Sequence, residues 1–181
     1  MEDDKHLIKR YLNGDDGAVE ELVEKYQKHI YAFVYRMTND IEEAKDLTQE
    51  VFIRAVNGIS GFRKESSFKT WLYRIAVNTS INHARRDRRY ESGIEESVVE
   101  DRAETLSDMI EREKKDLVRE GLARLPERQR IAIVLRAYEG LSCRETALAM
   151  GCSEGAVKAH YHNGVKRLRE IVTEAGYEFR P

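Results

Sequence analysis

The spacing of apolar residues is the feature of this sequence that most limits its fold. Between Ala18 and Met37, apolar side chains recur at steps of three and four residues, as they do on one face of an amphipathic helix. The same spacing continues through most of the chain. No segment alternates apolar and polar residues with the period of two that is typical of a strand. The sequence therefore predicts an all-α protein without a sheet.

The helical pattern is interrupted once for long enough to separate two domains. Residues 89–105 have no sustained apolar period and are mostly acidic or small. Before this stretch, the pattern predicts helices over about 18–37, 41–56 and 67–86, and after it over about 110–125 and 127–138. Asn39 or Asp40 can cap the second of these helices. We therefore expect two small helical domains, residues 1–90 and 113–181, joined by a flexible acidic linker at 91–112.

Length and composition exclude several classes of protein. No apolar run approaches the roughly 20 residues that cross a bilayer, and the acidic N-terminus lacks the apolar core of a secretory signal. The two cysteines do not form a disulfide framework, which suits a reducing compartment. These features predict a cytoplasmic protein without membrane insertion.

The charges are strongly segregated, although the net charge of the 181-residue chain is only −2. Residues 1–56 carry a net charge of −5, residues 57–90 of +6, residues 91–121 of −6 and residues 122–181 of +3. Exposed charges interact over only about 10 Å in physiological salt, so a basic segment can attract nucleic acid in a nearly neutral chain. The pattern predicts DNA contact that depends on context.

Residues 142–169 have the pattern of a helix-turn-helix. Ser142 and Glu145 have the spacing of a capping box, Gly151 permits a tight turn, and Ser153 can cap a longer helix with a basic end. The second helix of such a unit enters the major groove of DNA. The alternative is an ordinary helical hairpin with a solvated basic face. The candidates for DNA contact are Lys158, His160, His162, Asn163 and Arg167.

The same segment contains residues that could suggest a zinc site. Cys143 and Cys152 are followed by His160 and His162, but this spacing matches no structural zinc pattern. Two histidines separated by one residue on a helix also point about 200° apart. The sequence therefore predicts thiols that pack as small apolar groups, with no metal and no cofactor.

The segment from residue 62 to 89 combines aromatic and basic residues. Aromatic rings can stack on unpaired bases while cations hold the backbone. Asn78, Asn82 and Arg85 or Arg86 also follow one another at helical steps, and such side chains suit base edges. The alternative is that the aromatic residues form a core stripe. We expect Trp71 to be mainly core, and the 62–67 loop and the Asn78/Asn82 face to be functional.

The helix at 41–56 carries a polar face that includes Asp46, Gln49, Glu50 and Arg54. Most charged helical faces are simply solvated. The alternative is docking onto a partner protein, and periodicity does not distinguish the two.

Three segments of the chain, taken together and in their order along the sequence, resemble bacterial sigma factors of the extracytoplasmic-function group. They are DLTQEVFIRAV, FRKESSFKTWLYRIAVNTSINHARR and LPERQRIAIVLRAYEGLSCRETALAMGCSEGAVK. The resemblance covers about residues 7–171. It implies two all-α domains, sigma regions 2 and 4, that bind the β′ clamp coiled coil and the β flap of core RNA polymerase. It also implies recognition of minus-ten and minus-thirty-five promoter elements, usually under an anti-sigma factor.

The resemblance also implies roles for individual residues. Asp46, Gln49, Glu50 and Arg54 match the helix that docks on core polymerase. The minus-ten and melting residues that it implies are Phe62, Arg63, Lys64, Ser67, Lys69, Asn78, Asn82, Arg85 and Arg86. The minus-thirty-five residues that it implies are Ser142, Arg144, Ser153, Lys158, His160, Asn163 and Arg167.

The reading helix departs from the family at two positions. His160 and Asn163 stand where arginine is common, so two permanent positive charges are lost. The resemblance implies a promoter-specific initiation factor of the stress-response type, and we expect no catalytic activity. The alternatives are a stand-alone helix-turn-helix regulator, a sigma-like decoy that binds polymerase or an anti-sigma factor, and a nucleic-acid enzyme.

Overall fold

In the computed structural model of the protein, which describes residues 3–62, 66–87 and 106–175, all regular structure is helical. This confirms the all-α prediction. The first unit contains α1 (Asp4–Leu12), α2 (Gly17–Thr38), α3 (Ile41–Gly58), a 3-10 turn (Ile59–Gly61) and α4 (Phe68–Asp87). The second contains α5 (Leu106–Ala123), α6 (Glu127–Ile133), a π-helical segment (Val134–Tyr138), α7 (Cys143–Met150) and α8 (Glu154–Glu174).

The core of the first unit is formed where the apolar faces of α2, α3 and α4 meet. Each helix contributes a completely buried side chain: Phe33 on α2, Val51 on α3 and Leu72 on α4. Asp40 caps α3 by accepting a hydrogen bond from the backbone N–H of Glu43 at 2.8 Å, as the sequence predicted. The long polar faces of α3 and α4 therefore remain on the outside of the unit.

Helix α1 was not predicted from the sequence. Its nine residues bury only Leu7 and Ile8, too few to give a visible period. Asp4 fixes the helix to α2, because its carboxylate accepts hydrogen bonds from Lys25 at 2.5 Å and from the Tyr26 hydroxyl at 2.6 Å. Burial, followed by this hydrogen bond, raises the pKa of the Tyr26 phenol above its ordinary value.

In the second unit, the predicted helix at 127–138 has two parts. It is α-helical to Ile133 and then widens into the π-helical segment, where the backbone N–H of Glu139 bonds to the carbonyl of Val134. The chain then turns at Gly140, whose φ is +67°, a conformation that favours glycine. The π-helical segment ends at Tyr138 and leads directly into Glu139, before the helix-turn-helix begins.

Helix α6 crosses α8 closely at Gly164. A Cβ at that position would lie 2.9 Å from Cδ1 of Ile133 and 3.3 Å from the carbonyl oxygen of Gln129. The sequence analysis did not assign a role to this glycine. It allows the two backbones to approach and sets the direction of α8.

The two units pack against each other, with α4 lying along α7. Their buried residues form one continuous cluster that includes Ala76 and Val77 on α4 and Ala147 and Met150 on α7. Alanine side chains permit this close approach. The sequence gave no sign of this contact between α7 and α4.

Candidate nucleic-acid and protein interfaces

Helix α4 presents a continuous polar face to solvent. Asn78, Asn82, Arg85 and Arg86 are all exposed. Asn82 follows Asn78 by four residues, and Arg85 and Arg86 follow Asn82 by three and four, as the sequence predicted. Arg74 is exposed four residues before Asn78 and extends the same face, although the sequence analysis did not assign it there. The face therefore combines amide and guanidinium groups, which can bind base edges and phosphates.

The aromatic residues near the start of α4 mostly pack on one another. Phe62 contacts Phe68 and Trp71, with ring centroids 6.0 and 5.4 Å apart. Phe68 and Tyr73 are buried, so these two rings are not free to stack on a base. Phe62 and Trp71 are half-buried, so each retains an exposed part. Stacking is thus limited to the outer part of this cluster.

The remaining predicted minus-ten residues have different surroundings. Ser67 caps α4, because its Oγ accepts a hydrogen bond from the backbone N–H of Thr70 at 3.1 Å. Lys69 donates from Nζ to the carbonyl oxygen of Glu139 at 2.7 Å, and so contacts the second unit. Arg63 and Lys64 lie outside the described residues.

The outer face of α3 carries all four predicted docking residues. Asp46 and Gln49 are exposed, and Glu50 pairs with Arg54 at 2.5 Å. Ile53 lies between them and is 60% exposed. The sequence analysis missed Ile53, although its position seven residues after Asp46 was a readable signal. A polar face around an exposed apolar side chain can dock on a protein.

The first helix of the helix-turn-helix begins with a complete capping box. Ser142 Oγ accepts from the backbone N–H of Glu145 at 3.2 Å, and the Glu145 carboxylate accepts from the backbone N–H of Ser142 at 2.8 Å. Hydrogen bonding of the Glu145 carboxylate to the Ser142 side chain, and then to the Ser142 backbone, lowers the pKa of Glu145, with smaller contributions from Lys69 and Thr70. The prediction of the capping box is confirmed.

The turn and the start of α8 also follow the sequence prediction. Gly151 has a φ of +61°, and Ser153 Oγ accepts from the backbone N–H of Ala156 at 3.1 Å. Cys143 and Cys152 are half-buried at this turn and are not disulfide-bonded. Burial raises the pKa of the Cys152 thiol, which keeps it in the uncharged form that packs as a small apolar group.

Helix α8 exposes most of the predicted DNA-contacting side chains. Lys158, Asn163 and Arg167 are exposed, whereas His160 is half-buried at the edge of the face. Lys158 and Arg167 are nine residues apart, about 180° around the helix, so they border the exposed surface on opposite sides. Arg144 on α7 is also exposed. Lys166 lies within this surface and was not among the predicted contacts.

In the described ranges 3–62, 66–87 and 106–175, no three His, Cys, Asp or Glu side chains gather as they would around a metal ion. No helix in those ranges has the length and the apolar content needed to cross a membrane.

The chain matches known proteins along nearly its whole length. Residues 22–90 match the sigma-70 region 2 family, and residues 115–168 match the sigma-70 region 4 family. The chain is 37% identical to the RNA polymerase sigma-H factor of Pseudomonas aeruginosa, over 97% of this chain and 94% of that protein. It is 32% identical to the ECF RNA polymerase sigma factor SigW of Bacillus subtilis, over 92% of this chain and 95% of that protein.

A solved structure with the same fold is that of the sigma factor RpoE of Bartonella quintana, in complex with the anti-sigma factor NepR. It aligns with a TM-score of 0.70 and 22% identity over 85% of this chain and 96% of that one. The two family matches follow the order of the two units, and the solved structure shares the helical fold. The chain therefore belongs to the sigma-70 family, in its extracytoplasmic-function (ECF) group, whose members are non-enzymatic transcription initiation factors that direct RNA polymerase to promoters.

Proposed function

We propose that three separate surfaces of this sigma factor have different roles in transcription initiation. The outer face of α3 binds core RNA polymerase, the polar face of α4 holds the opened minus-ten element, and α8 reads the minus-thirty-five element. The domain limits that go with this division are 1–90 for region 2, 91–112 for the linker and 113–181 for region 4. The observation that carries the proposal is that α3 and α4 expose their polar faces while sharing one buried core.

Docking through α3 is supported by its chemistry. The face combines the exposed Asp46 and Gln49, the Glu50–Arg54 ion pair and the exposed side chain of Ile53. Interfaces commonly place an apolar anchor inside a polar rim. We assign this face to the β′ clamp coiled coil of polymerase, and region 4 to the β flap.

Opening of the minus-ten element through α4 is supported by the exposed stripe of Asn78, Asn82, Arg85 and Arg86. An asparagine amide can hydrogen-bond to the edge of a base that has left the stack, and the arginines can hold phosphates. Unstacking one base costs only a few kcal/mol, so binding energy can supply it without ATP. Phe62, Arg63, Lys64, Ser67 and Lys69 border the start of this stripe in the sequence and complete the proposed minus-ten site.

Reading of the minus-thirty-five element is supported by the exposed positions of Arg144, Lys158, Asn163 and Arg167. The helix N-termini that Ser142 and Ser153 cap can bind phosphates of the DNA backbone. His160 at the edge of the face and Asn163 within it supply hydrogen-bonding groups where the family commonly has arginine. We expect this reading helix to have weaker phosphate contacts than those of relatives that carry both arginines.

We also propose that an anti-sigma factor controls this protein in the cytoplasm, where polymerase and promoters are located. The support is the similarity in fold to RpoE, which was solved in complex with the anti-sigma factor NepR. We expect the protein to act in a stress response, as the resemblance implies.

Transcription in vitro tests the proposed function. Core RNA polymerase from the source organism, purified without sigma factors, is mixed with this protein and a library of genomic fragments. Discrete start sites that require the protein support the proposal, and their absence with a core enzyme that responds to another sigma factor contradicts it. A stand-alone helix-turn-helix regulator would bind fragments without polymerase, and a decoy would bind polymerase without producing transcripts.

A further inference from the structure

A cleft lies between α2 and α5. It has a volume of about 540 Å³, which is within the range of sites that bind small molecules. Tyr138, the last residue of the π-helical segment, forms part of its wall. None of the residues named above for polymerase docking or promoter contact lines this cleft. The proposed function therefore leaves the cleft without a role.

Three tyrosine rings line the cleft. Tyr31 and Tyr35 are one helical turn apart on α2, and the planes of their rings differ by only 7°, with centroids 6.2 Å apart. Both rings are half-buried, and Tyr138 is 45% exposed. Val118 and Leu122 contribute apolar surface from α5. A flat ring can bind here, because aromatic side chains stack on planar ligands.

Three cationic side chains also line the cleft. The guanidinium of Arg36 lies over the ring of Tyr138, 4.2 Å from its centroid. Lys115 is exposed on α5, and Arg119, one turn further along, donates a hydrogen bond to the Tyr35 hydroxyl at 3.1 Å. Lysine and arginine are the side chains that commonly bind phosphate groups. The cleft thus combines surfaces for a planar ring and for an anion.

One donor of Arg119 has no acceptor. Its Nη2 atom lies 3.1 Å from Asp116, which is the one carboxylate among the described residues that line the cleft. Its Nε atom is buried and has no hydrogen-bond partner in the described part of the chain. A buried donor without an acceptor costs free energy, and an anionic oxygen next to Arg119 can supply that acceptor. The surplus of cations over carboxylates favours a ligand with several negative charges.

We propose that this cleft binds a nucleoside triphosphate. The base stacks on the tyrosine rings, and the phosphates contact Lys115 and Arg119. Phosphate alone would leave the rings without a planar partner, and an uncharged aromatic molecule would leave the buried donor of Arg119 without an acceptor. The inference does not depend on the proposed function, because binding requires only the free chain.

Isothermal titration calorimetry of the full-length chain with ATP and with GTP tests this inference. Magnesium is omitted so that it does not shield the phosphate charge. At least one nucleotide should bind, and inorganic tripolyphosphate, which has the charge but no base, should bind at least about fivefold more weakly. The inference is overturned if neither nucleotide binds at millimolar concentration, or if tripolyphosphate binds as tightly as the nucleotides.

Two variants test whether the nucleotide occupies this cleft. Lys115→Glu reverses the charge of an exposed side chain and should weaken nucleotide affinity at least about tenfold, whereas Lys115→Arg should bind nearly as tightly as wild type. Tyr138→Leu keeps an apolar side chain and removes the aromatic ring. It should weaken nucleotide affinity at least about fivefold and change the binding of tripolyphosphate less.

Lys9→Glu is the matched control, because it makes the same charge change at an exposed lysine of α1 that does not line the cleft. It should bind the nucleotides as tightly as wild type. Equal losses in Lys9→Glu and Lys115→Glu would mean that only net charge matters, and would overturn the inference. Unchanged affinity in both Lys115→Glu and Tyr138→Leu would also overturn it. If Tyr138→Leu loses helical content by circular dichroism, the comparison of the two Lys115 variants decides.

Discussion

The hydroxyl of Tyr73 on α4 donates a hydrogen bond to Oε2 of Glu139, which is 66 residues further along the chain in the other domain. Burial, followed by this hydrogen bond, raises the pKa of the Tyr73 phenol above its ordinary value. The neutral phenol is therefore the form that stabilises the contact. One bond thus connects the helix proposed to open the minus-ten element to the loop before the helix-turn-helix.

Reversal of the charge at Asp46 should weaken the association with core polymerase. The side chain is exposed on the outer face of α3, so Asp46→Arg should leave the fold intact and reverse the charge that the proposed interface presents at this position. We expect affinity to fall at least about tenfold in a fluorescence binding assay with core enzyme. Glu24→Arg, an exposed position on α2, is the control. Equal affinities of the two variants for core enzyme would mean that the α3 face is simply solvated and does not bind polymerase.

A methyl group at Gly164 should destabilise region 4. Its Cβ would lie 2.9 Å from Ile133 Cδ1 and within 3.3 Å of the Gln129 backbone, so Gly164→Ala should cost about 1–3 kcal/mol of unfolding free energy. Gly155→Ala in the same helix is the control, since its Cβ would have no contact closer than 3.8 Å. It should stabilise the protein by about 0.5 kcal/mol. Urea denaturation measures both, and equal effects would refute the close crossing of α6 and α8.

The capping box at the start of α7 should make stability depend on pH. The folded-state pKa of Glu145 is lowered, mainly by its hydrogen bonds with Ser142. The stabilisation is therefore fully present above the unfolded pKa of about 4.5 and is lost as the pH falls through the folded value. Glu145→Gln should lower the melting temperature at pH 6–7, and the difference from wild type should shrink as the pH falls towards 3. A difference that stays constant over this range would argue against the ionised cap.

Lys158 should contribute to DNA affinity mainly through the phosphate backbone. Lys158→Ala in the holoenzyme should weaken promoter binding across sequences and reduce the slope of log affinity against log salt by about one. Lys45→Ala serves as the control, because Lys45 is on α3 and pairs with Glu42 at 2.6 Å. A changed sequence preference with an unchanged salt slope would assign Lys158 to base reading instead.

Most of the helical architecture could be predicted from the sequence, because the helices other than α1 have a local signal. The capping residues Asp40, Ser142 and Ser153 all hold the predicted hydrogen bonds. The exposed positions of Asn78 and Asn82 also follow from their spacing on a helix whose opposite side is apolar. Local pattern determines which side of a helix is polar.

What the sequence missed depends on contacts between distant segments. Glu139 appears as one more charged residue before a glycine, and nothing local indicates that Tyr73 and Lys69 surround it. Gly164 gives no signal until α6 lies across α8. Tertiary packing decides the surroundings of both residues, and periodicity carries no information about it.

The central claim is that, within region 2, α3 docks on polymerase and α4 opens the promoter. The most direct test is to measure strand opening by the holoenzyme that contains Asn78→Ala. Permanganate reactivity of minus-ten thymines measures opening, and a core-binding assay on the same preparation measures docking. We predict that Asn78→Ala loses most of the reactivity while its core affinity equals that of wild type and of the exposed control Asn13→Ala. Equal loss of opening and docking, or reactivity that matches the control, would contradict the account.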